Sequence, residues 1–150
     1  MEKGVKKIYN IERSLYLKKI PILPKLFKTL IRVVCSASIP YTCQIGKDTS
    51  FPHGGQGVVL HDEAVIGDRC LIQCNVVIGG RGGKPGAPKI GDDVLIGAGA
   101  VVLGDITIGN NVAIGANAVV LKSVPDNAVV VGIPGKIIKY LKDGESSKGC

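Results

Sequence analysis

From Leu60 onward an aliphatic residue recurs at every sixth position: Leu60, Ile66, Ile72 and Ile78, then Ile90, Ile96, Val102, Ile108, Ile114 and Val120. Four residues after most of these stands a second small or branched apolar residue, as at Ala64, Cys70, Val76, Val94, Ala100, Ile106, Val112, Ala118 and Val124. Gly often follows the first position, with Asp or Asn beside it. A period of six fits neither the 3.6 of a helix nor the alternation of a simple strand. Each hexad reads instead as a short strand and a tight turn, where Gly, Asn and Asp tolerate positive φ. Three hexads close one triangular coil, and stacked coils bury both apolar positions in a continuous column. The pattern predicts an all-β chain, a parallel β-helix over residues 37–142.

Two breaks interrupt the period. Between Ile78 and Ile90 one hexad is replaced by Gly80-Arg81-Gly82-Gly83-Lys84-Pro85-Gly86-Ala87-Pro88-Lys89, which cannot form a regular strand and should loop out of the coil. Earlier, Phe51 and Leu60 lie nine apart, three residues having entered around Gly54-Gly55-Gln56, directly after His53. Extrusions from a solenoid mark its binding surface.

The ends are different material. Residues 1–36 form a basic helical appendage, divided by Pro21 and Pro24. Leu26, Phe27, Leu30, Ile31 and Val34 set against Lys25, Lys28 and Arg32 describe an amphipathic helix. Capping the first coil is its first expected role, and contact with anionic lipid its second. At the other end, Val131-Gly132-Ile133-Pro134-Gly135-Lys136 breaks the period and is expected to lead into a short C-terminal helix, followed by a polar, disordered tail over 143–150.

Charge follows the same division. The net charge is +7, and residues 1–35 hold nine Lys/Arg against two acids, so the β-helix itself is neutral. With no nucleic-acid motif present, nucleic acid is excluded as a partner. The five cysteines form no CxxC pair and no zinc spacing, and no segment reads as a signal peptide or a membrane span. A reducing, cytoplasmic setting is expected, with the appendage as its one route to a membrane.

Hexads with this punctuation resemble the left-handed β-helix acyltransferases, and among them the serine acetyltransferases. The matching stretches are Phe51-Pro52-His53, Ala64-Val65-Ile66-Gly67-Asp68, Val76-Val77-Ile78-Gly79-Gly80, Pro88-Lys89-Ile90-Gly91-Asp92, Ile96-Gly97-Ala98-Gly99-Ala100 and Val131-Gly132-Ile133-Pro134-Gly135-Lys136. The left hand comes from this resemblance alone. It implies acetyl-CoA as co-substrate, no metal, and a homotrimer with sites in clefts between subunits. The large N-terminal helical domain of the full-length enzymes is represented here by about 35 residues, so a plain trimer is expected.

His53 carries the chemistry. An alcohol is a poor nucleophile toward a thioester at neutral pH, and an imidazole is suited to removing its proton. The resemblance assigns that work to the histidine at this position. It also lays the acetyl-CoA arm along Gly79, Gly80 and Arg81, with Lys84 a further cation of the loop, and passes pantetheine beside the small Ala98 and Ala116. Lys136, with Lys139, is the expected contact for the 3′-phosphate, from charge and position. His61, one place after the core position Leu60, should point outward and is given no role. The loop is no phosphate-binding P-loop, because Gly79 to Lys84 is one residue short and Pro85 follows the lysine.

Four departures narrow the acceptor. Serine acetyltransferases hold the catalytic histidine with an Asp fifteen residues earlier, where this chain has Ser38. Their second histidine is Ala87 here, the Arg before it is Gly86, and the Asp before the catalytic histidine is Pro52. Those groups grip serine, so their replacement leaves two acceptors open, L-serine and a sugar hydroxyl of surface-polysaccharide synthesis. A γ-carbonic-anhydrase-like zinc enzyme needs three histidines per metal, and the chain has two. A non-catalytic scaffold is the remaining alternative, and it has no use for the extruded loop.

Overall fold

The computed structural model describes residues 4–20 and 22–149. Residues 38–131 wind as a left-handed parallel β-helix with three faces. Gln44–Ile45, Val65–Ile66, Lys89–Ile90 and Thr107–Ile108 stack on one face. Leu71–Ile72, Leu95–Ile96, Ala113–Ile114 and Ala128–Val131 form the second. Val59–Leu60, Val77–Gly79, Val101–Leu103 and Val119–Val120 form the third. Strands of two or three residues carry almost none of the twist that makes long parallel crossovers right-handed, so the opposite hand is accessible.

The register measures the two breaks. Val59 stacks on Val77 and Leu95 on Ala113, 18 residues apart, which is three hexads. Gln44 to Val65 is 21 residues, so the coil containing His53 carries three extra. Val65 to Lys89 is 24, so the coil containing the Gly80 loop carries six. Each insertion is confined to a corner and leaves the stacking intact.

Every first-position aliphatic from Leu60 to Val120 is at most 4% exposed, and every second-position residue from Ala64 to Val124 at most 9%. Polar side chains staple one corner from coil to coil. The Lys47 amide donates to Asp68 Oδ1 (2.7 Å), the Asp68 amide to Asp92 Oδ1 (2.8 Å), the Asp92 amide to Asn110 Oδ1 (2.8 Å) and the Asn110 amide to Asp126 Oδ1 (2.7 Å). The glycines before these residues permit the close approach. A Cβ on Gly67 would lie 2.5 Å from the Gly91 carbonyl oxygen. Asp48, Asp93, Asn111 and Asn127 take the left-handed conformation that the same corner demands.

The helices differ from the expected arrangement. Helix α1 (Gly4–Leu17) caps the first coil, and α2 (Leu23–Val34) rides on α1. The cap is polar as well as apolar, because an open coil edge presents unpaired carbonyls. Tyr9 Oη donates to the Cys43 carbonyl (2.7 Å), Arg13 to those of Tyr41 and Cys43 (2.9 and 2.7 Å), and Lys6 Nζ to those of Ile45 and Gly46 (3.1 and 3.0 Å). Val5, Tyr9 and Ile31 of α2 join the core of the first coil. The hydrophobic pattern singled out the second helix, whereas edge-pairing side chains chose the first. Pro21 lies outside the described residues.

The C-terminal expectations are also corrected. Lys136–Tyr140 is a strand, not a helix, antiparallel to Ala128–Val131. Its Ile137 and Ile138 suit an extended chain, and pairing covers the last edge of that sheet. The tail expected to be disordered folds back on the stapled corner. Ser147 is buried with its hydroxyl donating to the Asp93 carbonyl, its amide donates to Asn111 Oδ1 (2.9 Å), and Lys148 reaches Asp93 (3.2 Å). Cys150 lies outside the described residues.

Candidate active site

The third face ends in two corners, and the sequence-selected residues divide between them. The first corner is entered through Phe51, fully buried, and Pro52, which turn the chain outward. His53 follows with φ 55° and ψ 30°, then Gly54, Gly55 and Gly57, all at positive φ. This run throws the imidazole onto the surface, where it is exposed. Successive turns stack above it. The Asn75 amide donates to Gln56 O (2.9 Å), that of Gly99 to Cys74 O (3.0 Å), that of Asn117 to Ala98 O (2.9 Å) and that of Val119 to Gly132 O (3.0 Å). His53, Ala98 and Ala116 therefore share one edge of the helix. Lys136 is exposed just beyond the Gly132 turn at the top of that edge.

The other corner carries the extruded loop. Gly79 ends its strand paired with Leu103, and its carbonyl accepts the Gly104 amide at 3.0 Å. Gly80 starts the loop, and the Lys84 amide donating to Arg81 O (3.0 Å) tightens its tip. Residues 81–85 are exposed, while Ala87 and Pro88 are buried and return the chain to the coil. The loop leans over Leu103, Gly104, Asp105 and Leu121, leaving a groove of about 340 Å³ under Arg81 and Lys84. A wider hollow of about 570 Å³ lies between α1 and the first coil, lined by Lys6, Lys7, Asn10 and Thr49, and contains none of the sequence-selected residues.

Asn75 and Gly80, at the two ends of one crossing of this face, are five residues apart, roughly 15 Å of extended chain. A single chain thus carries the imidazole edge and the loop edge on opposite sides of one face and does not bring them together. Ser38, one candidate among several to orient His53, is tied by its backbone into the ladder, its amide on Val58 O (2.8 Å) and its carbonyl accepting the Leu60 amide (2.9 Å). Ala87 is 4% exposed, so nothing polar projects where a second histidine would stand.

His61, to which sequence reasoning assigned no role, stands at the loop edge. The 18-residue coil places position 61 directly below 79, a signal available from the period alone. The ring is half-buried, its Nδ1 accepts the Glu63 amide (3.2 Å), and a Cβ built on Gly80 would lie 3.4 Å from Nε2.

Comparison with known proteins agrees with this architecture. Residues 87–122 match the family model described as bacterial transferase hexapeptide (six repeats). The chain is 46% identical over 140 residues to the serine acetyltransferase of Staphylococcus xylosus, covering 91% of this chain and 64% of that protein. It is 41% identical over 132 residues to that of Synechococcus elongatus, covering 87% and 54%. Among solved structures, the serine acetyltransferase of Neisseria gonorrhoeae superposes with a TM-score of 0.88 at 35% identity, over 95% of this chain and 56% of that one. That of Brucella abortus in complex with coenzyme A gives 0.89 at 32%, over 95% and 58%. The chain spans a little over half to just under two thirds of the length of these relatives. With its stacked hexads and two corner insertions, the chain carries the hexapeptide-repeat transferase pattern over residues 87–122 and is similar in sequence to serine acetyltransferases along most of its own length.

Proposed function

We propose that this protein is an acetyl-CoA-dependent O-acetyltransferase that works as a homotrimer. The observation that carries the reading is the division of the site: the imidazole edge and the loop edge lie on opposite sides of one face, so a neighbouring copy completes each cleft. The acetyl-CoA arm runs between them, past Ala98 and Ala116 of one copy and Gly79, Gly80 and Arg81 of the next, with Lys84 and Lys136 toward its phosphates. His53 takes the proton from the acceptor hydroxyl as its oxygen attacks the thioester carbonyl. A backbone N–H at the loop root stabilises the oxyanion. Collapse breaks the carbon–sulfur bond, and the departing thiolate takes the proton back from His53.

L-Serine is the first acceptor to test, because the relatives are named serine acetyltransferases. A sugar hydroxyl is the second reading, favoured by the buried Ala87 and the ladder-bound Ser38. Purified protein with acetyl-CoA and a panel of serine, homoserine and sugars should release free thiol with one of them. No thermal shift with millimolar CoA would sink the enzyme reading and leave the scaffold.

The N-terminal helices supply the membrane part of the proposal, contact with the inner face from the cytoplasm. Among the described residues no helix is long and apolar enough to cross a membrane. Helix α2, however, exposes Leu26 (65%), Val33 (74%) and Val34 (66%) beside Lys25, Lys28 and Arg32. An apolar stripe flanked by cations fits an anionic lipid surface, where each cation contributes about 1 kcal/mol. Vesicles containing anionic phospholipid should carry the protein in flotation, and Leu26→Asp with Val33→Asp should release it. Wild type left at the bottom of a low-salt gradient would exclude the lipid contact.

A further inference from the structure

We infer that His61 is a donor-binding residue of the transfer site, its Nε2–H holding a carbonyl of the acyl donor's pantetheine arm at the root of the Gly80 loop. The inference rests on the proposal that acetyl-CoA lies along Gly79 and Gly80, and it adds an oriented hydrogen-bond donor to that surface.

Three observations carry it. First, the ring is held by the fold. The His61 amide donates to Ile78 O (2.8 Å), and its carbonyl accepts the Ala64 amide (3.0 Å), which fixes the Cα in the ladder. The Glu63 amide then donates to Nδ1 at 3.2 Å. A ring nitrogen that accepts an N–H carries no proton, so in the neutral ring the proton is on Nε2. Second, that nitrogen faces the loop root. A Cβ on Gly80 would stand 3.4 Å from Nε2, 3.5 Å from Cδ2 and 3.6 Å from the Gly86 carbonyl oxygen. Gly80 is therefore a gap between an oriented imidazole and the returning arm of the loop. Third, the surface beside that nitrogen pairs an apolar side chain with open backbone. Leu103, paired with Gly79, lays Cδ2 3.1 Å from where a Gly79 Cβ would stand, and Arg81 covers Gly104 beyond it.

A pantetheine arm is a narrow chain bearing two amides and, when acylated, a thioester. Its methylenes can pack on Leu103, and its carbonyls offer acceptors to the Nε2–H donor.

The test is steady-state kinetics with acetyl-CoA varied at saturating acceptor, alongside direct CoA binding, for His61→Leu and His61→Gln. Glutamine can present an N–H near the position of Nε2, while leucine cannot. His61→Leu should raise the KM for acetyl-CoA and the Kd for CoA by about three- to tenfold, the effect of one neutral hydrogen bond, with kcat little changed. His61→Gln should restore most of the loss. Unchanged KM and Kd in His61→Leu, or a loss of Tm without a change in KM, would overturn the inference and leave acetyl transfer standing. A fall in kcat at constant KM would overturn it too. Wild type that neither binds CoA nor turns over would instead refute the acetyltransferase proposal itself.

Discussion

Replacing His53 by asparagine should lower acetyl transfer by about 10²- to 10⁴-fold, the range expected for loss of a general base, and leave the thermal shift produced by CoA unchanged. The two readouts separate in the proposed arrangement, where His53 meets the acceptor hydroxyl and the donor lies along Ala98, Ala116 and the loop of the neighbouring copy. Asparagine is the informative substitution here. His53 has φ 55°, a conformation that asparagine adopts more readily than most residues, so the turn survives and the imidazole alone is removed. His53→Ala should lose the same activity with an additional strain on the turn. Thiol release from acetyl-CoA with the identified acceptor gives the rate, and added imidazole should return part of it. Full activity in His53→Asn would remove His53 from the chemistry and move the search to the loop edge.

The scaffold was almost completely legible, because the hexad period is a direct image of the coil. An interior that admits only two side chains per strand-and-turn unit forces aliphatics at fixed spacing, and each named position is buried. The two corner insertions were legible for the same reason, as departures of three and six residues from a strict period. The ends were not. Ile137 and Ile138 could continue a helix or a strand, and the sheet edge left open by Ala128–Val131 decided for the strand. The cap was misassigned because hydrophobic patterning favours α2, while the first coil needed donors for its carbonyls, which Lys6, Tyr9 and Arg13 supply. Of the candidate site, the sequence marked the two insertions, and the structure places His53 and Gly80 at different corners of the coil, an arrangement that needs the closed triangle to be seen.

As pH rises from 4.5 to 7, Glu12 should cost the wild-type chain about 1–2 kcal/mol of stability, and Glu12→Leu should remove that contribution. Glu12 is fully buried under α2, and neither of its carboxylate oxygens has a hydrogen-bond partner among the described residues. Burial pushes its carboxyl up from 4.5 to about 7, against the weaker pull of Lys28 from α2, and the Cys43 thiol of the first coil faces it from below. The folded chain therefore holds a proton that the unfolded chain has released above pH 4.5. Below that value both states are protonated and the site carries no penalty. As pH rises the penalty grows, and it is complete above 7, so stability falls with rising pH. Leucine fills a similar volume without a charge, which removes the desolvation term at every pH. Urea unfolding at pH 5 and pH 8, at one fixed protein concentration, measures the effect, and parallel pH dependences for wild type and Glu12→Leu would exclude it. A Cβ on Gly55 would stand 3.2 Å from Val5 Cγ1, so α1 lies directly against the turn that presents His53.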